Sequence, residues 1–479
     1  MKKCAHLLEF VFIVIVSLNL TSCGGDDDGS GMGTDDEDAT ETRLPQSIID
    51  QARYTSSYML DIDQDGDDDI ILGPADGIYS TNLLLINDGT GVFEIRANAF
   101  PSRYQEISGH TVNITSGDFD NDGRPDIIAS TLDARPATFF QSAQIHLYLN
   151  NGDGSFSDGT AQINDNLFPD SWIEWIRVGD FNNDGNLDFV TTVAGGDSFD
   201  PANDLWSGGL IYLNDGSANF SRTTIRMNDN GVLGEYTHPH LAWDNAARGE
   251  ITRVPLDIFV GDVDNDGDID LVAPNGWAGG QWATFLNISV STEASFEVVL
   301  NGIPLGLNEA VFFKNGALMD IDGDGSLDVI GSRAIDGFGP GAPIEILLND
   351  GNGRFPQTTS GLITGAAPGL IHARQWLVGD FNGDSADDLF VADHGLDQFP
   401  FPGFPNTLLL SSGGSLSNSS SNVGMASAFT HGAAVGDIDN DGNLDILMNN
   451  QQGLEDIGGA ATDNLIYLNN GSGVFTGTN

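Results

Sequence analysis

Residues 61–72 read DIDQDGDDDIIL, in which aspartate occupies positions one, three, five and nine, glycine occupies position six, and an apolar run follows. The same pattern, with changes at single positions, begins again at Asp118, Asp180, Asp262, Asp320, Asp380 and Asp437. Successive starts lie 57 to 62 residues apart, except for an interval of 82 residues between the third and the fourth. A recurrence of this length is typical of repeated supersecondary units that pack on one another. The pattern therefore predicts one array of seven repeats over residues 43–479.

Each repeat carries a second landmark, an apolar strand that ends in a polar turn. Clear copies, each with a phenylalanine after the turn, span residues 83–93, 145–156, 210–220, 344–355 and 465–475, and degraded copies span residues 285–296 and 407–417. The Asn-Asp-Gly and Asn-Gly turns tolerate the positive φ that tight hairpins require. Each repeat is therefore predicted to contain four strands, with the acidic loop between the first two. No segment shows the 3.6-residue period of a capped helix, so very little helix is expected.

Seven four-stranded antiparallel units predict an all-β fold, a seven-bladed β-propeller. Radial closure covers the faces of the sheets and leaves only short edges. An open solenoid is the alternative, but neither end of the array resembles a polar cap. The last strand, from Phe475 onward, is short for a complete outer strand. Residues 43–49 are therefore expected to pair beside it and close the ring.

The acidic loops have the composition of a calcium site. Calcium takes six to eight oxygen ligands, and carboxylates at positions one, three and five of a tight loop can face the same ion. Glycine at position six permits the sharp turn, position seven can offer a main-chain carbonyl, and aspartate at position nine completes the ligand set. The predicted side-chain ligands are Asp61, Asp63, Asp65 and Asp69; Asp118, Asp120, Asp122 and Asp126; Asp180, Asn182, Asp184 and Asp188; Asp262, Asp264, Asp266 and Asp270; Asp320, Asp322, Asp324 and Asp328; Asp380, Asn382, Asp384 and Asp388; and Asp437, Asp439, Asp441 and Asp445.

Metal-free polar turns are the alternative interpretation of such loops, because Asp, Asn and Gly are common turn residues. Seven matching copies favour calcium, with about six or seven ions, and this many carboxylates suits the larger ion better than magnesium. Two loops depart from the pattern. The third has Asn182 at position three, and the sixth has Asn382 there and Ser385 in place of glycine. The sixth loop is thus expected to bind most weakly, with Asp387 as a partial substitute one position early.

These repeats resemble the FG-GAP/VCBS family, the calcium-loop blades of integrin α-subunit propellers and their bacterial relatives. The resemblance covers nearly everything from residue 50 to the end. The Phe-Gly…Gly-Ala-Pro signature of the integrin form is only partly present, so the bacterial branch fits better. The resemblance implies a seven-bladed propeller with Ca²⁺ held between the first two strands of each blade.

The N-terminus has the features of a targeting segment. Lys2 and Lys3 precede an apolar run at residues 10–16, which is shorter than the roughly 20 residues needed to span a membrane. Leu20-Thr21-Ser22-Cys23 resembles the cleavage box of bacterial lipoproteins, which implies a signal peptide at 1–22 and a lipid on Cys23. An ordinary secretory signal with an incidental cysteine is the alternative. Gly24 follows the cysteine, and by the same resemblance the outer membrane is the expected location.

Residues 23–42 are rich in Asp, Gly, Ser and Thr with little to bury, which predicts a flexible acidic tether before the propeller. The whole chain has 17 basic and 70 acidic residues and a formal charge of −53, which excludes nucleic acid as a partner on electrostatic grounds. Cys4 leaves with the signal, so no internal disulfide is expected and calcium should supply much of the stability. The sequence predicts a monomeric propeller that meets the membrane only through its anchor.

The long third interval holds an insertion with Tyr236, His238, His240 and Trp243, and six of the seven tryptophans lie between Trp172 and Trp282. Insertions on rigid scaffolds often carry binding function, so these residues are candidates for a ligand site; the alternative is a decorated loop. His110, Trp172 and His372 each precede their loop by eight residues and are expected near one mouth of the channel, without a pattern typical of zinc.

The nucleophile motif G-x-S-x-G and the metalloprotease motif H-E-x-x-H are absent, and calcium already accounts for the paired carboxylates. Three functions stay open. The first is surface-anchored adhesion or recognition of a protein or glycan ligand. The second is a polysaccharide lyase or hydrolase with its site at a propeller mouth, and the third is a structural module of the envelope. Fold alone does not choose among them.

Overall fold

The structure is a computed structural model. It describes residues 44–45, 48, 54–74, 82–101, 109–133, 142–164, 167–169, 171–195, 208–223, 225–228, 235–238, 257–273, 282–290, 293–301, 315–332, 341–359, 361–396, 403–424, 427–450 and 466–478. In this part of the chain, no helix is both long and apolar enough to cross a membrane.

The first four blades follow one another along the chain. Blade 1 contains β1 (Tyr54–Leu60), β2 (Asp69–Pro74), β3 (Leu83–Asn87) and β4 (Phe93–Ile95). Blade 2 contains β5 (Gly109–Gly117), β6 (Asp126–Asp133), β7 (Ser142–Asn150) and β8 (Phe156–Asp158), and is followed by a 3₁₀ turn (Thr160–Gln162) and β9 (Leu167–Pro169). Blade 3 contains β10 (Ser171–Gly179), β11 (Asp188–Gly195), β12 (Gly208–Asn214) and β13 (Phe220–Arg222). After β14 (Ile225–Asn228) and β15 (Glu235–His238), blade 4 contains β16 (Phe259–Gly261), β17 (Asp270–Ala273), β18 (Trp282–Asn287) and β19 (Ser295–Asn301).

Three further blades complete the array. Blade 5 contains β20 (Asn315–Met319), β21 (Asp328–Ser332), β23 (Glu345–Leu348) and β24 (Gln357–Thr359), with β22 (Ala342–Pro343) between its second and third strands. The short strands β25 (Ile363–Thr364) and β26 (Gly369–Leu370) follow it. Blade 6 contains β27 (Ala373–Gly379), β28 (Asp388–Asp393), β29 (Thr407–Ser411) and β30 (Leu416–Asn418), then a 3₁₀ turn (Ser420–Val423). Blade 7 contains β31 (Thr430–Gly436), β32 (Asp445–Asn450), β33 (Ile466–Asn469) and β34 (Phe475–Thr478).

Each blade is an antiparallel sheet whose four strands lie side by side in chain order. The first strands of neighbouring blades adjoin one another all the way round, from β1 through β31 and back to β1. The fold is therefore a closed seven-bladed β-propeller, as the sequence predicts, and the first strand of each blade is the innermost. In every blade the acidic loop joins this innermost strand to the second strand.

The long third interval enlarges blade 4. Strand β14 pairs in parallel with β19, the outer strand of that blade, and β15 pairs with β14. The sheet thus has six strands, in the order β15-β14-β19-β18-β17-β16. The insertion therefore contributes two strands at the outer edge of the propeller.

The hydrophobic cores lie between the blades. Ile128 and Leu147 of blade 2 share one cluster of buried residues with Phe189 and Tyr212 of blade 3. The strand β2 is buried at every position, because both of its faces are covered by neighbouring blades. This explains why the second strands form apolar runs rather than alternating patterns. Burial of apolar surface at about 25 cal/mol per Å² stabilises each interface.

The ring closes differently from the sequence prediction. All four strands of blade 7 come from β31–β34, and Ile48 lies in a helical turn, its N–H donating to the Pro45 carbonyl at 2.8 Å. Of residues 43–49 the structure describes Leu44, Pro45 and Ile48, and the predicted strand pairing is wrong at these three residues. Strand β34 is already a full outer strand, since the fourth strand of blade 1 has only three residues. Leu44 and Ile48 instead join the apolar cluster between blades 1 and 7.

Candidate metal centres

The first carboxylate of each loop orders the turn itself. In all seven loops its Oδ2 accepts a hydrogen bond of 2.8–3.0 Å from the N–H of position six, as between Asp262 and Gly267. Position five accepts from the N–H of position seven, as between Asp266 and Asp268. The second bond, from a side chain to the N–H two residues on, is an Asx turn, which short acidic side chains favour. The loop backbone is therefore fixed by the same residues that present oxygens to its centre.

Two positions of each loop lie in the left-handed region of backbone space. Position six has φ of 87–102° at the six glycines and 69° at Ser385, a left-handed conformation that serine adopts less readily than glycine. Position four is also left-handed in every loop, at Gln64, Asn121, Asn183, Asn265, Gly323, Gly383 and Asn440. The sequence reasoning missed position four. The signal was the recurrence of Asn or Gly there in six of seven loops.

The aspartate at position nine is the buried member of each set. Its Oδ2 accepts the N–H of position two at 2.8–3.1 Å. Its Oδ1 accepts a main-chain N–H at the end of the third strand at 2.6–2.9 Å. These carboxylates therefore join the loop to the sheet. They can also complete the set of carboxylate ligands on the side of the loop that faces the sheet.

Burial, with repulsion from neighbouring carboxylates, makes the position-nine carboxyl groups and four of those at position three reluctant to ionise. Burial raises the pKa of the position-nine group despite its two hydrogen bonds, to about 7 at Asp69, Asp188, Asp270 and Asp445 and to about 6 at Asp126, Asp328 and Asp388. At position three the pKa is raised by burial and then by neighbouring carboxylates, at Asp63, Asp120, Asp264 and Asp439. Such a site gains from a bound cation.

The carboxylates converge in five loops. Three ligand oxygens lie within 4.8 Å of one another in each of the sets Asp61, Asp63 and Asp69; Asp118, Asp120 and Asp122; Asp262, Asp264 and Asp270; Asp320, Asp322 and Asp328; and Asp437, Asp439 and Asp445. In three of these loops one oxygen of the position-three carboxylate is buried and accepts no hydrogen bond, at Asp63, Asp264 and Asp439. Buried polar atoms normally have partners. These clusters of hard oxygens are able to hold a metal ion.

The two loops with asparagine at position three are organised differently. The Asn182 amide donates to Asp184 at 3.0 Å, and the Asn382 amide donates to Asp388 at 3.2 Å. In both loops the amide thus donates to a carboxylate of the predicted ligand set, at position five in loop 3 and at position nine in loop 6. Asp387 is exposed, while Asp388 makes the same two main-chain bonds as its counterparts.

Loop 2 contains a cation of its own. The guanidinium of Arg124, at position seven, forms an ion pair with Asp122 and donates to the carbonyl of Asn150 at 2.9 Å. Arginine therefore competes with any metal for the position-five carboxylate of this loop. The sequence reasoning did not weigh this residue.

Three histidines outside the loops pack together beside blades 6 and 7. The ring of the fully buried His394 lies 4.3 Å from that of His372 and 5.1 Å from that of His431, measured between centroids. In the described part of the chain, the sets of three or more metal-ligating side chains that converge within 4.8 Å all belong to the acidic loops. The histidine rings are therefore packed on one another without forming a preformed metal site.

The structure describes only some of the remaining predicted site residues. Tyr236 and His238 lie in β15, at the outer edge of blade 4. His240, Trp243 and Cys23, with the predicted signal and tether, lie outside the described residues.

The chain belongs to the FG-GAP-like repeat family. The family profile matches residues 61–129, 137–191, 320–391 and 380–448, which is more than half of the chain. This confirms the resemblance found in the loops and strands. No curated protein matches the chain.

Several solved structures show a low level of similarity to the chain. The rhamnogalacturonan lyase PL11 from Bacillus licheniformis is 12% identical, with 89% of this chain and 76% of that chain covered and a TM-score of 0.36. The rhamnogalacturonan lyase YesW is 14% identical, with 89% and 76% covered and a TM-score of 0.38. Similarities at this level carry no argument about activity.

Proposed function

We propose that this protein is a calcium-stabilised propeller, anchored at the bacterial surface, that recognises a protein or glycan ligand. The observation that carries the calcium part is the group of three loops in which a buried position-three oxygen accepts no hydrogen bond. A divalent ion with a preference for oxygen ligands satisfies that atom and neutralises the carboxylates around it.

Within each loop the side chains at positions one, three, five and nine would hold the ion, together with the carbonyl at position seven. The preference for calcium over magnesium follows from the ligand set, since Mg²⁺ keeps several waters and is usually bound by one or two carboxylates. The ions would supply neutralisation of charge and rigidity. The ring, once rigid, presents its loops and edges in fixed positions.

Recognition is proposed for the outer edge of blade 4. The strands β14 and β15 extend this blade beyond the four strands that the ring requires, and β15 carries Tyr236 and His238. Additions to a rigid scaffold are common sites of binding. Cys23 would hold the propeller at the outer membrane, and the acidic residues 23–42 would let it reach ligands away from the surface.

The test uses calcium-loaded residues 24–479 on arrays of glycans and of extracellular proteins. Retention of a defined ligand supports the proposal, and Tyr236→Ala or His238→Ala should then weaken binding at least tenfold. The matched control is Val290→Ser, a change at a 96% exposed residue of the same blade, which should leave binding unchanged. Cleavage of a polysaccharide without retention of any ligand would favour the enzyme instead.

Cys23→Ala should release the protein from the membrane fraction, and unchanged fractionation would contradict the anchor.

A further inference from the structure

We propose that the asparagine at the end of the third strand of a blade is a positioning residue for two calcium loops at once, so that neighbouring sites fill cooperatively. This inference rests on the proposed calcium binding. The residues concerned are Asn87, Asn150, Asn214, Asn287, Asn349 and Asn469, with Ser411 at the same place in blade 6.

The first half of the connection lies within a blade. The main-chain N–H of Asn349 donates to Oδ1 of Asp328 at 2.8 Å, and its side-chain amide donates to the carbonyl of Leu327 at 2.9 Å. Both acceptors belong to the end of loop 5. The asparagine therefore sets the orientation of the buried carboxylate that completes this loop.

The second half crosses to the preceding blade. The same amide of Asn349 donates to the carbonyl of Val263, at position two of loop 4, at 2.8 Å. The equivalent bonds are 2.7–2.8 Å long and join Asn87 to Ile438, Asn150 to Ile62, Asn214 to Phe119, and Asn469 to Phe381. Blade 4 uses a variant in which the Ser289 hydroxyl donates to the carbonyl of Phe181 at 3.1 Å.

Every side-chain nitrogen and oxygen of these asparagines is hydrogen-bonded. The Asn349 Oδ1 accepts the N–H of Gly351 at 3.1 Å, so both amide protons and the oxygen are engaged. All six asparagines are at most 6% exposed. A buried polar side chain with every bond made has one well-defined orientation, and loss of one partner leaves a costly unpaired atom.

The coupling follows from where position two lies. The residue at position two lies between the predicted ligands at positions one and three. Its N–H donates to the position-nine carboxylate, and in loop 4 this is the 2.9 Å bond from Val263 to Asp270. An ion in loop 4 fixes this peptide and, through it, the amide of Asn349. That amide in turn fixes Asp328 of loop 5. Binding at one loop therefore reduces the ordering that the next loop must undergo.

The chain contains one natural break in the series. Ser411 keeps the main-chain bond to Asp388 at 2.6 Å, but its hydroxyl is one bond shorter than the asparagine amide and does not bond to Ile321 of loop 5. The connected series therefore runs from loop 6 through loops 7, 1, 2, 3 and 4 to loop 5, and is open between loops 5 and 6.

The test is calcium titration of residues 24–479 by calorimetry and native mass spectrometry, with Asn349→Ser as the variant. Asn352→Ser is the matched control, because Asn352 is an exposed residue of the same hairpin. We expect Asn349→Ser to weaken two sites about fivefold or more and to lower the Hill coefficient, while the control leaves both unchanged. Wild-type-like affinities in a folded Asn349→Ser variant would overturn the coupling.

A second variant keeps the test decisive if Asn349→Ser does not fold. Ser411→Asn restores the missing connection, and we expect it to tighten two sites and raise the Hill coefficient. Unchanged binding in Ser411→Asn would overturn the coupling. Absence of any calcium binding by the wild-type protein would be a different result, since it would contradict the proposed calcium function itself.

Discussion

The side-chain amide of Asn349 donates a 2.8 Å hydrogen bond to the main-chain carbonyl of Val263, which is 86 residues earlier in the chain. The two residues belong to different blades, and each lies beside a cluster of carboxylates. The acidic loop and the asparagine turn look like separate motifs within one repeat. In the folded ring, the turn of one blade braces the loop of the blade before it.

Asp264 and Asp270 of loop 4 should respond differently to the same substitution. Asp264→Asn and Asp270→Asn should each remove one bound ion. With a chelator present, Asp270→Asn should lose about 2 kcal/mol, because an amide cannot accept from both Val263 and Asn287. Asp264→Asn should change the stability of the metal-free protein by less than about 0.5 kcal/mol, since the Oδ1 atom accepts no bond. Urea unfolding in chelator measures the difference, and equal losses would contradict the assigned roles.

Ser385→Gly should stabilise the protein. Ser385 has a φ of 69°, whereas glycine adopts this region without steric cost. The expected gain is about 1 kcal/mol in free energy of unfolding, with tighter binding at loop 6. Gly267→Ser is the matched reverse change, since a Cβ there meets open space and only the backbone is strained. It should cost a similar amount. A loss of stability in Ser385→Gly would show that the serine is favoured for another reason.

The pH dependence should have opposite signs with and without calcium. The position-nine groups have a pKa of about 6 to 7 in the metal-free fold, above the ordinary 3.8, so the folded state binds more protons than the unfolded chain between those values. Metal-free stability is therefore highest below about pH 4 for these groups and falls as pH rises to 7. Calcium affinity should rise over pH 5–8, because binding releases these protons. Chelator melts and calcium titrations at four pH values test both trends.

Arg177 should be important for the contact between blades 3 and 4. Its guanidinium bonds both oxygens of the buried Asp257 at 3.0 and 3.1 Å and lies 4.5 Å from the Trp175 ring. Arg177→Met should cost about 3 kcal/mol, because it removes a cation that pairs with a buried carboxylate. Arg177→Met with Asp257→Leu should recover most of that loss. If the double variant is no more stable than the single one, packing rather than charge dominates the contact.

The sequence was sufficient for features that repeat within one unit. The spacing of the loops predicted seven blades, and glycine at position six predicted the left-handed turn that Gly267 adopts. Contacts between units were not predictable, because they depend on the geometry of the closed ring. The Asn-Asp-Gly and Asn-Gly turns were expected to supply positive φ, and glycines such as Gly351 adopt it, but the bridge that Asn349 forms was not foreseen. The prediction of strand pairing around Ile48 failed for a similar reason, because Ile48 packs between blades 1 and 7 instead.

The decisive measurement is thermal unfolding of residues 24–479 in saturating calcium and in excess chelator, with bound ions counted by native mass spectrometry. We expect six or seven ions and a large fall in melting temperature on chelation, since each site adds about 2.7 kcal/mol when free calcium is 100 times its Kd. One ion or none, with an unchanged melting temperature, would contradict the calcium assignment and return the carboxylates to consideration as catalytic groups.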